Sequence, residues 1–159
     1  MNIRQAHDGD AAEIAEIWNR MIRDTARTFT TDEKTVDGLQ ADIAARGAGF
    51  LVAELDGQLA GFATYFPFRG GPGYAHTKEH SVILAKEFGG QGIGRTLMQR
   101  LEEVARNEGV HSLIAGISGE NPDGVAFHEA IGFQHVARLR KVGFKFGRWM
   151  DLVLMQKFL

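Results

Sequence analysis

A chain of 159 residues with 44% apolar side chains predicts one packed domain with a single hydrophobic core. The net charge of -2, without blocks of like charge, argues against nucleic acid as the main partner. No cysteine is present, which excludes disulfides, a thiol nucleophile and thiolate metal ligands. We expect a cytoplasmic protein without a membrane partner, because no apolar segment has membrane-span length and the first residues lack a signal-peptide core.

The first part of the chain predicts one strand and two helices. Residues 2–6 predict a short strand, and Asp10 and Glu13 have the spacing of a helix capping box. Apolar residues then recur every three or four positions, as in a helix that packs on a core, and a second such helix closes at Arg46 and Gly47. The apolar positions of the two helices are Ile14, Ile17, Trp18, Met21, Ile22, Val36, Leu39 and Ile43.

A predicted hairpin follows the two helices. Residues 50–55 and 58–65 have the composition of strands, and the Asp-Gly pair between them is the strongest short hairpin signal. A loop rich in glycine and proline comes next at residues 67–74, and residues 77–84 predict a further strand.

A glycine-rich turn connects that strand to a long amphipathic helix, predicted from Arg95 to about Glu108. A helix entered through glycines presents unpaired main-chain N–H groups at the positive end of its dipole, which suits a phosphate ester. The turn has neither the lysine of a P-loop nor the third glycine of a dinucleotide fingerprint. It therefore predicts a different diphosphate cradle, made of Gly89, Gly90, Gln91, Gly92, Ile93, Gly94 and Arg95.

The last part of the chain predicts a strand at residues 111–117, a short helix that ends before Gly132, and strands at 133–140 and 150–158. We find no linker and no internal repeat, so residues 1–159 are expected to form one domain.

The cradle resembles motif A of the GNAT superfamily of N-acetyltransferases, a loop reading Q/R-x-x-G-x-G/A that holds the pyrophosphate of coenzyme A. Gly92 and Gly94 occupy its two small positions, whereas Gly89 stands where the family usually has Gln or Arg, which removes one side-chain contact. The predicted order of helices and strands is also that of this family. The resemblance implies an α+β fold in three layers, with a mostly antiparallel, mixed central sheet flanked by helices.

Several segments look like the branch that acetylates phosphinothricin and methionine sulfoximine: residues 25–30, 79–82, 121–133 and, most specifically, 142–151. This resemblance implies transfer of an acetyl group from acetyl-CoA to the α-amine of a small amino acid or analogue. The amine attacks the thioester directly, and no metal takes part. A homodimer is expected, with Lys145, Arg148 and Trp149 shaping the C-terminal hairpin and a dimer contact.

The resemblance also implies roles for individual residues. Glu79 matches the acidic position of the branch and is the expected base, although a carboxyl pKa of about 4.3 requires burial or a water relay to suit an amine. His128 lies where the superfamily often has a tyrosine near the departing thiolate; an ordinary helix histidine is the alternative. Expected cofactor contacts are the main-chain N–H groups of Val82, Ile83 and Leu84 and the side chain of Asn121.

The glycine-rich loop is the expected substrate side. Arg69, close to Gly71, is expected to bind the substrate carboxylate through its guanidinium fork, and Phe29 and Tyr74 are expected to wall the pocket. A solvated loop charge is the alternative role of Arg69.

Other interpretations stay open at this point. His76, Glu79 and His80 spell an inverted zinc-binding motif, but that motif needs a helix; on the predicted strand the two histidines stand about 13 Å apart. A polyamine or a protein N-terminus is an alternative acceptor. A non-catalytic regulator that binds acyl-CoA is an alternative from a different functional class.

Overall fold

A computed structural model describes residues 1–159, and its helices and strands follow the predicted order. The strands are β1 (Asn2–Gln5), β2 (Phe50–Leu55), β3 (Gln58–Pro67), β4 (Thr77–Leu84), β5 (Ser112–Ser118), β6 (Gln134–Lys145) and β7 (Arg148–Phe158). The helices are α1 (Ala11–Asp24), α2 (Val36–Arg46), α3 (Ile93–Asn107) and α4 (Pro122–Ala130). None of these helices combines the length and the hydropathy that crossing a bilayer requires.

All seven strands form one sheet in the order β1-β2-β3-β4-β5-β7-β6. Every neighbouring pair is antiparallel except β4 and β5, which run parallel. The expected fold class, a mostly antiparallel mixed sheet flanked by helices, is therefore confirmed.

A hydrophobic core lies on each face of the sheet. Helices α1 and α2 cover one face, where Ile14, Ile22 and Leu39 are almost fully buried. Helix α3 covers the other face with Leu97 and Leu101. Burying a side chain of this size contributes about 2 kcal/mol, so the predicted apolar spacing has a direct energetic reason.

The start of α1 differs from the prediction. Asp10 makes no side-chain cap to α1; its carboxylate accepts a hydrogen bond from the main-chain N–H of His7 at 2.8 Å. Nδ1 of His7 in turn accepts from the N–H of Gly9 at 3.2 Å, so the capping box forms at the preceding 3₁₀ turn. Arg4 of β1 also donates two hydrogen bonds of 2.8 Å to Asp10. The predicted box with Glu13 was wrong because it ignored these partners.

Other boundaries differ as well. Helix α3 begins at Ile93 rather than Arg95, because Gly92 takes the N-cap position in a left-handed conformation with φ of 78°. Strands β6 and β7 are longer than predicted and meet at a tight turn after Lys145. An irregularity near Lys141, whose φ is 53°, interrupts the alternation of β6. The sequence pattern therefore predicts too short a strand.

Candidate active site

The central feature of the site is a fork in the middle of the sheet. Strand β4 pairs with β3 along its length, but with β5 at three positions only, the last being Glu79 opposite Ile114. Beyond that pair, β5 continues alongside β7 and separates from β4. The edge of β4 after Glu79 therefore has main-chain groups that no neighbouring strand satisfies. Such groups bind water or a ligand.

A cleft of about 1460 Å³ lies at this fork. Its walls come from α1 and the segment after it, from β4 and the following turn, and from the end of β5 with the start of α4. Of the residues predicted for the site, those that line the cleft are Glu79, Val82, Ile83, Leu84, Gly89, Gly94, Asn121 and His128.

The glycine-rich turn lies at one end of the cleft and leads into α3. Gly90 and Gly92 have φ of 76° and 78°, a conformation that glycine adopts without strain. No side chain caps α3 at Gly92, so the first N–H groups of the helix have no capping partner. Gln91 and Arg95 are exposed around the turn, whereas Ile93 is buried beneath it. These unpaired N–H groups lie where the sequence predicts a diphosphate cradle, and a helix start of this kind can bind an anion.

Glu79 lies at the vertex of the fork. Its side chain is half-buried, and Oε2 would be 3.9 Å from a methyl group placed on Gly116 of β5. Burial raises the pKa of Glu79, since the charged carboxylate loses hydration there without gaining a partner. A carboxylate with a raised pKa and no bound counter-ion is better matched to accepting a proton from an amine.

Two histidines contact each other on the other side of the fork. Nε2 of His80 and Nε2 of His128 are 2.9 Å apart, and Nδ1 of His128 is 2.7 Å from the carbonyl oxygen of Gly124. Because a carbonyl only accepts, His128 must carry its proton on Nδ1. In the neutral pair, Nε2 of His80 therefore donates to Nε2 of His128. Nδ1 of His80 is then a buried acceptor with no partner.

Both histidines are held in the neutral form. Burial, together with the neighbouring His128, lowers the pKa of His80 to about 3, and burial also lowers the pKa of His128. The backbone of Ile114 acts in the other direction and raises the pKa of His80, but it makes no well-aligned hydrogen bond to Nδ1. The pair therefore contributes no positive charge to the cleft near neutral pH.

Asn121 caps helix α4 at the edge of the cleft. Its Oδ1 accepts a hydrogen bond from the N–H of Gly124 at 3.0 Å, and Pro122 follows at the first helical position. The side chain therefore stabilises the helix that positions His128, whatever else it contacts.

Four residues predicted for the substrate side do not line the cleft. Arg69 lies 5.4 Å from the ring of Tyr74, and both residues are exposed in the loop between β3 and β4, as is Gly71. Phe29 packs instead against Gly143 of β6, where an added methyl group would be 2.4 Å from its ring.

Other cationic side chains do line the cleft, and sequence reasoning did not single them out: Arg20, Arg27, Lys34 and Lys86. Arg20 is paired with Glu87 across the cleft, with a distance of 3.0 Å between Nη1 and Oε1. Lys34 lies 4.4 Å from the ring of Trp18. Arg27 is exposed.

The alternation of β4 indicated that His80 faces away from Glu79, but nothing in the sequence indicated its contact with His128.

Comparison with known proteins gives a consistent result. The family described as "Acetyltransferase (GNAT) family" matches residues 13–133. An L-amino acid N-acyltransferase of Escherichia coli K12 is 39% identical, over 98% of this chain and 92% of its own. An L-methionine sulfoximine/L-methionine sulfone acetyltransferase of Salmonella typhimurium is 38% identical, over 98% and 93%. A phosphinothricin N-acetyltransferase of Alcaligenes faecalis is 37% identical, over 98% and 81%.

Solved structures share the fold over the full chain. An acetyltransferase of Salmonella typhimurium with its cofactor acetyl-CoA superposes with a TM-score of 0.96 at 38% identity, covering 100% of this chain and 94% of the other. A ribosomal-protein-alanine N-acetyltransferase of Brucella melitensis gives a TM-score of 0.95 at 39% identity, with 100% of both chains covered.

Proposed function

We propose that this chain acetylates the α-amine of a small amino acid or analogue. It belongs to the GNAT family of acetyltransferases and is an acetyl-CoA-dependent N-acetyltransferase. Acceptors of the methionine sulfoximine, methionine sulfone or phosphinothricin type fit the names of its relatives. The observation that carries the proposal is the fork, where the free edge of β4, the glycine-rich turn and Glu79 meet in one cleft.

The chain's own groups suit the binding of the acyl donor. Main-chain N–H groups at the start of α3 would hold the diphosphate, and the free edge of β4 at Val82, Ile83 and Leu84 would hold the pantetheine amides and the thioester oxygen. Bound acetyl-CoA supplies an activated acetyl group. Donors fixed in place need no reorganisation as negative charge develops on the thioester oxygen.

Proton transfer is assigned to Glu79. Its carboxylate takes the proton from the acceptor ammonium, directly or through water, and the free amine attacks in a ternary complex. Neutral His128 has no free N–H to give, because Nδ1 donates to Gly124 and Nε2 accepts from His80. We therefore assign His128 to shaping the thiol end of the cleft; a thiol with a pKa near 8.5 leaves without an acid.

The proposal predicts that Glu79→Gln lowers kcat by about 10²- to 10⁴-fold, the usual contribution of a positioned base, with acetyl-CoA binding unchanged. Release of free thiol from acetyl-CoA measures the reaction, and since the chain has no cysteine, coenzyme A is the only thiol formed. Calorimetric titration with acetyl-CoA is the control for binding. Equal kcat for the variant and the wild type would remove Glu79 from the mechanism.

Recognition of the substrate carboxylate has two candidates. We propose Arg69 from the family resemblance, and Arg27 is an exposed arginine of the cleft wall that, unlike Arg20, forms no salt bridge. We expect Arg69→Ala to raise the KM of the amino acid about tenfold while kcat changes little, because a contact to the carboxylate that is equally strong in the ground state and the transition state contributes binding only. Arg27→Ala is the matched comparison: if it alone raises that KM, recognition lies on the cleft wall.

A second acceptor class has specific support. One neighbour of high similarity is a ribosomal-protein-alanine N-acetyltransferase, so a protein N-terminus is the alternative. The assay panel therefore includes a peptide with an N-terminal alanine beside methionine sulfoximine, phosphinothricin and a polyamine. Faster turnover of the peptide would replace the proposal, and acetyl-CoA binding without turnover of any amine would favour a regulator.

A homodimer and a cytoplasmic location are also proposed. Apolar side chains are exposed along β6 and β7, and β6 is an edge strand of the sheet, so a second copy would cover surface that water meets here. The cytoplasm is where acetyl-CoA is available to such an enzyme. The exposed apolar side chains on these two strands are Val136, Leu139, Val142, Phe144, Trp149 and Phe158.

A further inference from the structure

Lys145 at the end of β6 is a buried cation whose three donors are all used. The residue is 3% exposed, although it lies beside an exposed turn. Nζ donates to the carbonyl oxygens of Ile22 at 2.6 Å, Thr25 at 2.7 Å and Thr28 at 2.9 Å. An ammonium group has three N–H donors, so this contact set is complete.

The three acceptors follow one another where α1 ends. The carbonyl of Ile22 belongs to the last turn of the helix, where main-chain oxygens lack helical partners and the helix dipole is negative. Thr25 is the C-cap residue, and Thr28 lies beyond it. Lys145 therefore binds the helix end and the segment after it through a single charged group.

The same strand holds this segment at a second point. Gly143 lies against the ring of Phe29, so closely that a methyl group at this position would be 2.4 Å from the ring. Residues on either side of that contact form one wall of the cleft: Thr25, Arg27, Thr28 and Thr30.

This wall lies apart from the elements assigned to the acyl donor. The free edge of β4 and the turn before α3 hold acetyl-CoA, whereas residues 25–30 belong to the segment between α1 and α2. An acceptor that shares the cleft with the donor must therefore contact the remaining wall, to which residues 25–30 belong.

We propose that Lys145 is a positioning residue for the acceptor amine, because it fixes residues 25–30 as a preformed wall of the cleft. This inference rests on the proposed acetyl transfer to an amine. A preformed wall spares the acceptor the cost of ordering the segment, so losing the ammonium group raises the KM of the amine and leaves that of acetyl-CoA unchanged.

The test uses Lys145→Cys, which contains the only thiol of the chain. In denaturant, the thiolate displaces bromide from 2-bromoethylamine, which forms a C–S bond and restores a side chain of lysine length that ends in an ammonium group. Alkylation with 1-bromopropane gives a neutral side chain of the same length. Both products are refolded, and exposed Lys141→Cys on the same strand is treated identically as the control.

We expect the propyl product to show an amine KM about tenfold above wild type, with the acetyl-CoA KM within about twofold, and the aminoethyl product to return to wild type. Equal amine KM values for the two products would overturn the proposal. A parallel rise in the acetyl-CoA KM would also overturn it, since that would indicate general damage to the fold.

Two further measurements keep the test decisive. Cleavage after Arg27 by an arginine-specific protease reports the order of the wall without any substrate; it should be faster in the propyl product only, and equal rates would contradict the proposal. The cleavage rate does not depend on turnover. If wild type acetylates no amine, the proposed function is refuted, but the cleavage rates still test the role of Lys145. If the propyl product does not refold, Gly143→Ala, expressed directly, should raise the amine KM. Lys141→Ala, at an exposed position of the same strand, should not.

Discussion

Gly89 shows that a family position can differ without a conformational reason. Its φ of -64° and ψ of 151° are accessible to any residue, and an added methyl group would meet only the carbonyl of Lys86 at 3.7 Å. Gly92, three residues later, has φ of 78° and does require glycine. The turn therefore keeps its shape while lacking the side chain that the family usually places at this position.

We expect Gly89→Arg to lower the dissociation constant of acetyl-CoA several-fold, because a guanidinium next to the diphosphate adds charge-assisted hydrogen bonds. Gly92→Arg is the matched variant: the same side chain at a left-handed position costs about 1–2 kcal/mol of strain and should weaken binding. Calorimetric titration with acetyl-CoA measures both. Unchanged affinity for Gly89→Arg would indicate that the missing contact carries no binding energy in this cleft.

At the scale of elements, the two buried histidines join β4 to α4. His80 belongs to the strand and His128 to the helix, and Phe133 packs within 5.2 Å of both rings. Their pKa values are lowered in the folded state. Below about pH 6.5 these histidines therefore bind protons in the unfolded chain but not in the folded protein. Folding is therefore most favourable above that pH and weakens as the pH falls.

We predict that His80→Gln makes the free energy of unfolding less dependent on pH, by about 1.4 kcal/mol per unit between pH 6 and pH 5. Glutamine keeps a side-chain N–H for His128 but does not titrate. Urea unfolding at several pH values measures the slope, and His111→Gln controls for the loss of an exposed imidazole. An unchanged slope would show that His80 takes up protons equally in both states.

Local patterns predicted the elements well, and they failed where a partner is distant in sequence. The Asp-Gly hairpin forms with φ of 52° at Asp56, and Gly132 ends α4 with φ of 99°, as composition indicated. The capping box at Asp10 failed because Arg4 of β1 binds the same carboxylate. Strand periodicity predicts faces but not pairing, so the early separation of β4 from β5 was not predictable.

Much of the candidate site was predictable from the family resemblance, since Glu79, the β4 edge and the turn lie together in the cleft. Contacts between distant side chains were not: 48 positions separate His80 from His128, and 117 separate Lys145 from Thr28. The family resemblance places Arg69 and Tyr74 beside the substrate; in the structure they contact each other in an exposed loop, and their role stays a prediction.

At the scale of the whole molecule, the outer hairpin presents an apolar surface. Phe144 and Trp149 are 55% and 62% exposed, pair across β6 and β7, and have ring centroids 5.0 Å apart. Exposed aromatic residues in a group are typical of protein interfaces, where they supply much of the binding energy.

We predict a dimer that Trp149→Lys converts to a monomer, because a charge buried at the centre of an apolar interface lacks a partner. Sedimentation velocity measures the mass, and far-UV circular dichroism checks that the fold is unchanged. Ala44→Lys, on the exposed side of α2, is the control and should remain dimeric. A monomeric wild type would refute the interface.

The fork divides the sheet into two blocks, β1–β4 and β5–β7, joined by three residue pairs. A ligand bound in the gap takes the place of the missing pairs between β4 and β5. Binding in the cleft and the association of the two blocks are therefore thermodynamically coupled. Because the coupling is reciprocal, a substitution that weakens the junction lowers the affinity for the acyl carrier. Bound carrier in turn stabilises such a variant against unfolding. Thermal melting with and without the carrier thus reports the strength of a joint inside the protein as well as its affinity for a ligand.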